Sequence, residues 1–171
     1  MREIKRDIFE VIDEELKDKN TVVFLMHCVS ADFEMGAGIA KAIDKKYKEK
    51  KFIQSRSHNF DFTWEGYGFA YISNHSIDLN QNLCVCDLVT KEHYWNKPSY
   101  TSLDEALRSS TWLIEQTFNW YLAKDPNKKL KIIMPRIGCG LDRLQWFRVK
   151  EIINQWAGFE YPDITVCYLE D

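Results

Sequence analysis

The stretch Met134–Trp146, MPRIGCGLDRLQW, brings two glycines, a thiol, a carboxylate and two arginines together behind an apolar run, LKIIM. Glycine lets the backbone approach a ligand closely and take up positive φ. A carboxylate, Asp142, follows at once. A second Gly-x-Gly, Gly36-Ala37-Gly38, stands earlier in the chain. Each pair comes before a predicted helix. Helix N-termini expose N–H donors and a partial positive charge, which suit phosphate oxygens. Two such loops at one edge would grip a diphosphate; two ordinary tight turns account for the same glycines. Known nucleotide motifs fit badly. Lys41 stands where a dinucleotide fingerprint needs its third small residue, and there is no Gly-Lys-Ser/Thr of a P-loop.

Other reactive side chains have plain readings beside the chemical one. Lys91 follows Thr90 at the end of an apolar run, where most lysines are solvated surface residues. Asp142 could cap a helix beginning near Leu144. Cys139 lies between glycines with no adjacent base, so packing is favoured over nucleophilic attack. Cys84 and Cys86 share one face of a strand, without further ligands at metal-binding spacing. His27 is expected to pack or to bond backbone. KAIDKKYKEKK reads as a solvated helix face whose charge could guide an anionic substrate.

The elements that must position these groups alternate along the chain. Residues 3 to 6 suit a short edge strand, and DIFEVIDEELKDK has apolar residues at helical spacing. TVVFLMHC is apolar without alternation, as expected for a strand covered on both faces. GAGIAKAIDKKYKEK reads as one helix opening on glycines and ending in lysines. WEGYGFAYIS alternates strictly, with Tyr67, Phe69 and Tyr71 on one face of a strand. NLCVCDLVT is another strand. Thr101 to Ala123 is a helix, with SLDE as its capping box. LKIIMP, QWFRVKEIINQW and DITVCYL follow as strand, helix and strand. Strands alternating with helices point to an α/β layer fold with a largely parallel sheet. His27–Gly38, Thr90-Lys91 and Gly138–Asp142 each follow an apolar strand. If those strands are parallel, all three motifs emerge at one sheet edge, where open α/β sheets bind ligands.

Composition narrows the classes. The chain has 171 residues, 45% of them hydrophobic and 14% aromatic, which suits one domain with a full core. A net charge of −3 argues against broad binding of duplex nucleic acid. Five irregularly spaced cysteines suit reduced thiols. No apolar stretch of signal-peptide or membrane-spanning length is visible. A cytoplasmic or nuclear monomer, without a membrane association, is expected.

HCVSADFEMGAGIAKAI, LVTKEHYWNKPSYTSLDEAL and MPRIGCGLDRLQW resemble the three signature blocks of a macrodomain, in the family's order, and most resemble the branch of terminal ADP-ribose protein glycohydrolase. EIKRDIF resembles the strand and aspartate that open that fold. The resemblance covers nearly the whole chain and implies a three-layer α/β/α macrodomain with a central mixed, largely parallel sheet. It implies that Asp7 accepts a hydrogen bond from the adenine amino group, with Ile8 beside it. Ser30 and the loop Met35, Gly36, Ala37, Gly38, Ile39 would wrap the distal ribose. Arg136, Ile137, Gly138, Cys139, Gly140 and Leu141 would enclose the diphosphate. Lys91, next to Thr90, matches the family's nucleophile, and Asp142 its acid/base. Such an enzyme would release ADP-ribose from a protein carboxylate or a nucleic-acid base, with no cofactor and no metal. A non-catalytic ADP-ribose reader, a module sequestering a related nucleotide signal, and an ADP-ribose 1″-phosphate phosphatase are the alternatives. A lysine must be neutral to attack C1″ or an opened sugar aldehyde, and free lysine titrates near ~10.4. Two departures from the family pattern bear on the target: the aromatic-rich segment 58–71 and a longer, more helical Asp7–Asn20.

Overall fold

Apolar, β-branched runs build the centre of the molecule. The computed structural model describes residues 1–56, 66–76, 81–158, 160–161 and 163–170. Most of the aromatic-rich segment, residues 58–65, lies outside them. Six strands form one sheet: β1 (Arg2–Lys5), β2 (Thr21–Ser30), β3 (Phe69–Asn74), β4 (Leu83–Lys91), β5 (Lys129–Pro135) and β6 (Ile164–Tyr168). Their order is β1-β6-β5-β2-β4-β3. β3 is antiparallel to β4, and every other pair is parallel. The sheet is therefore mixed and largely parallel.

Helices cover both faces. α4 (Tyr100–Lys124) and α5 (Trp146–Ala157) pack on one side, and α1 (Ile8–Glu15), α2 (Gly38–Tyr47) and α3 (Glu49–Arg56) on the other. β2 shows why its sequence does not alternate. Phe24 and Met26 enter the core under α4 and α5, while Val23 and Leu25 enter the core under α1 and α2. Fully burying a side chain of this size contributes roughly 1.5–3 kcal/mol. β3 does alternate, with Ala70 and Ile72 facing one core and Phe69 and Tyr71 the other. Among the described residues no helix is long and apolar enough to cross a membrane.

Several boundaries differ from the sequence reading. The lysine-rich stretch is two helices rather than one. Lys48 takes φ 59, its N–H closes on Asp44 O, and the Asp44 side chain accepts from Lys50 N at 2.9 Å to start α3. The expected solvated face is thereby interrupted: Tyr47 and Glu49 turn inward and are buried. α1 stops at Glu15, before turns around Asp18. β3 begins at Phe69, so residues 66–68 of the expected strand fall before it, although Gly68 N–H already donates to Val89 O at 2.7 Å; Trp64 and Glu65 lie outside the described residues. The capping box of α4 is not SLDE. It starts three residues earlier, where the Ser99 hydroxyl accepts from Ser102 N and the Ser102 hydroxyl accepts from Ser99 N.

Four ionisable side chains are buried between the sheet and α3. His27 Nε2 of β2 lies 2.5 Å from Asp87 Oδ1 of β4. Glu49, the first residue of α3, is paired with His75, one residue past β3. His27 is thus packed inside the molecule, as one of the two sequence readings had it, and the group it meets there is a carboxyl side chain rather than backbone. Burial pushes the Glu49 and Asp87 carboxyls up to about 7, and the adjacent Asp87 charge adds to the rise at Glu49. Burial drives His27 down to about 4.

Candidate active site

β2, β4 and β5 are neighbours and run parallel, so Ser30, Lys91 and Pro135 end at the same sheet edge. The loops that follow enclose a cavity of about 880 Å³. Of the sequence-derived candidates, Ser30, Met35, Gly36, Ala37, Gly38 and Ile39 line it from the first loop and Lys91 from the second. Arg136, Ile137, Gly138, Gly140, Leu141 and Asp142 line it from the third.

Lys91 owes its position to an irregularity. The register of β2 against β4 runs one-to-one as far as Val29↔Val89, then shifts so that Ser30 pairs with Lys91. Thr90 is the extra residue of this β-bulge, and bulges re-aim side chains at strand ends. Lys91 Nζ then donates to Asp142 Oδ1 at 2.5 Å, 51 residues along the chain. The two side chains are only 13% and 14% exposed. Asp142 does not cap a helix: α5 begins later, at Trp146, with Gln145 as its uncapped flank. The carboxylate is held against an amine instead.

The glycine pairs behave differently from each other. α2 starts at Gly38 with no side-chain cap, and Gly38, Ile39 and Ala40 face the cavity from its first turn. Free N–H groups at such a terminus suit an anion. The second pair does not open directly on a helix. It forms tight turns instead, with Cys139 N–H donating to Arg136 O and Leu144 N–H to Gly138 O. Gly38 and Gly138 take φ 57 and 69, in the left-handed region that favours glycine.

Other candidates lie outside the cavity wall. Thr90 is buried at the bulge. Cys139 Sγ donates to Ile137 O, and burial pushes its thiol up to about 11, which removes nucleophilic character. Ile8 is buried in the core under α1. Asp7 caps α1, its Oδ1 accepting from Phe9 N and Glu10 N. It follows β1, which is parallel to β6 and so ends at the same edge. Arg136 lines the cavity, yet its guanidinium is engaged by Glu3 at 3.3 Å and stacks over Tyr168. Glu3 also accepts from Trp146 and Lys150, and these donors, Lys150 foremost, hold its carboxyl below the usual range.

Among the wall residues given no role from sequence, two follow Lys91 closely along the chain. Tyr94 and Lys97 belong to the loop directly after Lys91. Lys97 Nζ donates to Leu141 O at 2.6 Å, joining the second loop to the third. A smaller cavity of about 310 Å³ shares Lys91 and Lys97 with the first and adds Tyr67, Glu92, Asn96 and Ser99. Proximity to Lys91 along the chain was the available signal for both residues. Among the described residues no His/Cys/Asp/Glu group has metal-binding geometry.

No protein-family model matches the chain. ADP-ribose glycohydrolase OARD1 of Homo sapiens and of Bos taurus is 32% identical to it over 145 residues, 83% of this chain and 78% of that protein. The macrodomain of Thermus aquaticus DarG shares the fold with a TM-score of 0.68 at 15% identity, over 98% of this chain and 96% of that one. Thermosipho africanus DarTG in complex with ADP-ribose does so with a TM-score of 0.61 at 20% identity, over 86% of this chain and 38% of that one. Sequence relatedness across most of both proteins, with the three-layer architecture in common, means that the chain belongs to the macrodomain family.

Proposed function

We propose that the protein is a hydrolase that frees ADP-ribose from a singly modified macromolecule. The observation that carries this reading is the Lys91–Asp142 pair, at 2.5 Å on the wall of a cavity large enough for a dinucleotide-sized ligand. A cleft built only to bind would not need a nucleophile held against a proton acceptor. The glycohydrolase name of the human and bovine relatives supports the same reading.

In this mechanism the diphosphate rests on the first turn of α2 and on the Gly138–Leu141 backbone, with the distal ribose beside Ser30. Asp7 holds the adenine further along the same edge. Both cap bonds of Asp7 fall on Oδ1, which leaves Oδ2 to accept from the adenine amino group. Lys91 passes a proton to Asp142 and attacks C1″ with its freed electron pair. The bond from C1″ to the target breaks, and Asp142 returns the proton to the departing atom. Asp142 then takes a proton from water, the water oxygen bonds to C1″, and Lys91 is released. The sum is one water consumed, one ADP-ribose and one unmodified target formed. The steps use only residues of this chain.

The test is incubation with proteins and oligonucleotides that carry single ADP-ribose groups, read as free ADP-ribose. Lys91→Ala should retain ADP-ribose binding by calorimetry and lose release by at least ~100-fold. Unchanged turnover in that variant removes the mechanism. Tight ADP-ribose binding by the wild type without release from any carrier makes the protein a reader instead.

A further inference from the structure

Asp32 is not on the cavity wall, yet it touches three residues that are. Its Oδ1 accepts from the Ser30 hydroxyl at 2.5 Å and from Glu34 N at 3.3 Å. Its Oδ2 accepts from Tyr94 N at 3.0 Å, with His93 Nδ1 at 3.8 Å. Ser30 ends β2 and Glu34 belongs to the loop after it; Tyr94 and His93 belong to the loop after β4. One carboxylate therefore joins the loop that carries the glycines to the loop that begins at Lys91. The tie is reinforced at its root, where Ala31 N–H donates to Lys91 O at 2.9 Å.

From this geometry we infer that Asp32 is a positioning residue that fixes the polarity of the Ser30 hydroxyl toward the distal ribose and the path of the Lys91 loop. The inference rests on the hydrolase reading above. A hydroxyl has one proton to give. Ser30 gives its proton to Asp32, so only lone pairs remain for the cavity, and Ser30 is 5% exposed. The ligand must then supply a donor at this point. A ribose hydroxyl beside the reacting carbon meets that demand, and a ligand lacking it leaves a buried acceptor unpaired. Register adds the second half of the argument. Ser30 is the strand partner of Lys91, so a hydroxyl held by Ser30 is held next to the amine.

Asparagine is the informative replacement because it keeps size and changes one acceptor into a donor. In Asp32→Asn either Tyr94 N–H faces an N–H₂ group, or the Ser30 hydroxyl must reverse and donate into the cavity. Both outcomes harm turnover through groups that touch the ligand. Glutamate keeps the charge but is one methylene longer and cannot satisfy both loops in the same positions.

The experiment is a double-mutant cycle on the full chain, with Asp32→Asn, Ser30→Ala and the double variant, read as kcat, KM and ADP-ribose Kd. Thermal melts confirm that each variant is folded at the assay temperature. The expected result is a loss in kcat of roughly tenfold or more for Asp32→Asn, the scale of one charge-assisted hydrogen bond, with a smaller change in KM. In the Ser30→Ala background the same substitution should cost much less, because the group it acts through is gone. Hydrogen exchange at the Tyr94 amide should speed up in Asp32→Asn, independently of any ligand. Additive losses in the cycle, or an unchanged Tyr94 amide, overturn the positioning role while leaving the hydrolase reading intact. A wild type that neither binds nor releases ADP-ribose overturns the hydrolase reading, and this inference with it.

Discussion

Lys91 and Asp142 face each other across one hydrogen bond at 2.5 Å, and in the proposed mechanism the lysine must lose its proton before it attacks. In that mechanism the pair reacts as the proton moves, which a ligand filling the cavity and excluding water would favour. What the neighbouring backbone must do is narrower: leave room for a diphosphate. The two glycines of GCG divide this task. Gly138 has φ 69, and an added Cβ would lie 2.9 Å from Leu144 Cδ1. Gly140 lies outside the left-handed region, and its Cβ would meet nothing within 4 Å. Gly138→Ala should therefore lower stability by about 1–2 kcal/mol, the cost of a left-handed alanine, measured by denaturant unfolding. Gly140→Ala should leave stability within ~0.5 kcal/mol of wild type. It should still weaken ADP-ribose binding, because its methyl group enters the space that the proposed mode of binding gives to the diphosphate. Calorimetric titration of both variants checks this: equal affinity for Gly140→Ala and wild type would mean that the diphosphate lies elsewhere.

At the scale of elements, each loop of the site is held by the element behind it. α4 begins directly after the loop that carries Tyr94 and Lys97, and its start is fixed by the reciprocal Ser99–Ser102 bonds. Ser99→Ala removes one acceptor from the helix start and should cost about 1 kcal/mol. For a chain of this length that is a fall of roughly 2–4 °C in Tm, readable by scanning calorimetry. Sequence gave the helix but misplaced the box, because Ser99 and Ser102 are both competent caps and only the backbone chooses. The three strands that deliver the site were legible for a clear reason: β2, β4 and β5 are covered on both faces, so their apolar runs are continuous. The break between α2 and α3 was not, since it falls at Lys48, a residue with no turn preference, and the αL backbone there is fixed by Asp44 and by the burial of Tyr47 and Glu49. The bulge at Thr90 left no local mark either. The strands ahead of Lys91 and Asp142 already put both at one sheet edge, but their roles came only through the resemblance to a family, because nothing in either local sequence points to a partner 51 residues away.

The whole molecule carries a pH dependence that follows from Glu49, Asp87 and His27, buried where the sheet meets its α3 layer. Glu49 and Asp87 titrate at about 7 in the folded chain, against roughly 4 when unfolded. Between those values the native state holds protons that the unfolded chain has released, so their contribution is complete below about pH 4 and is lost as pH rises toward 7. His27 acts in the opposite sense. Its folded value is about 4 against an ordinary 6.5, so its contribution is complete above 6.5 and lost as pH falls to 4. Two protons set against one leave a net fall in stability from pH 5 to 7, on the order of 1.4 kcal/mol per pH unit for each unbalanced proton. The carboxyls of Glu3, Glu14 and Asp18 are lowered from 4.5, 4.5 and 3.8, so they act at lower pH and leave this window to the buried groups. Glu49→Gln keeps the shape and neutrality of the protonated side chain and removes one of the two bound protons. It should flatten the fall between pH 5 and 7 and gain stability relative to wild type as pH rises, measured by denaturant unfolding at pH 5, 6, 7 and 8. A slope as steep as that of the wild type would mean that Glu49 is already ionised across this range, and that His75 rather than a shared proton holds α3 against the sheet.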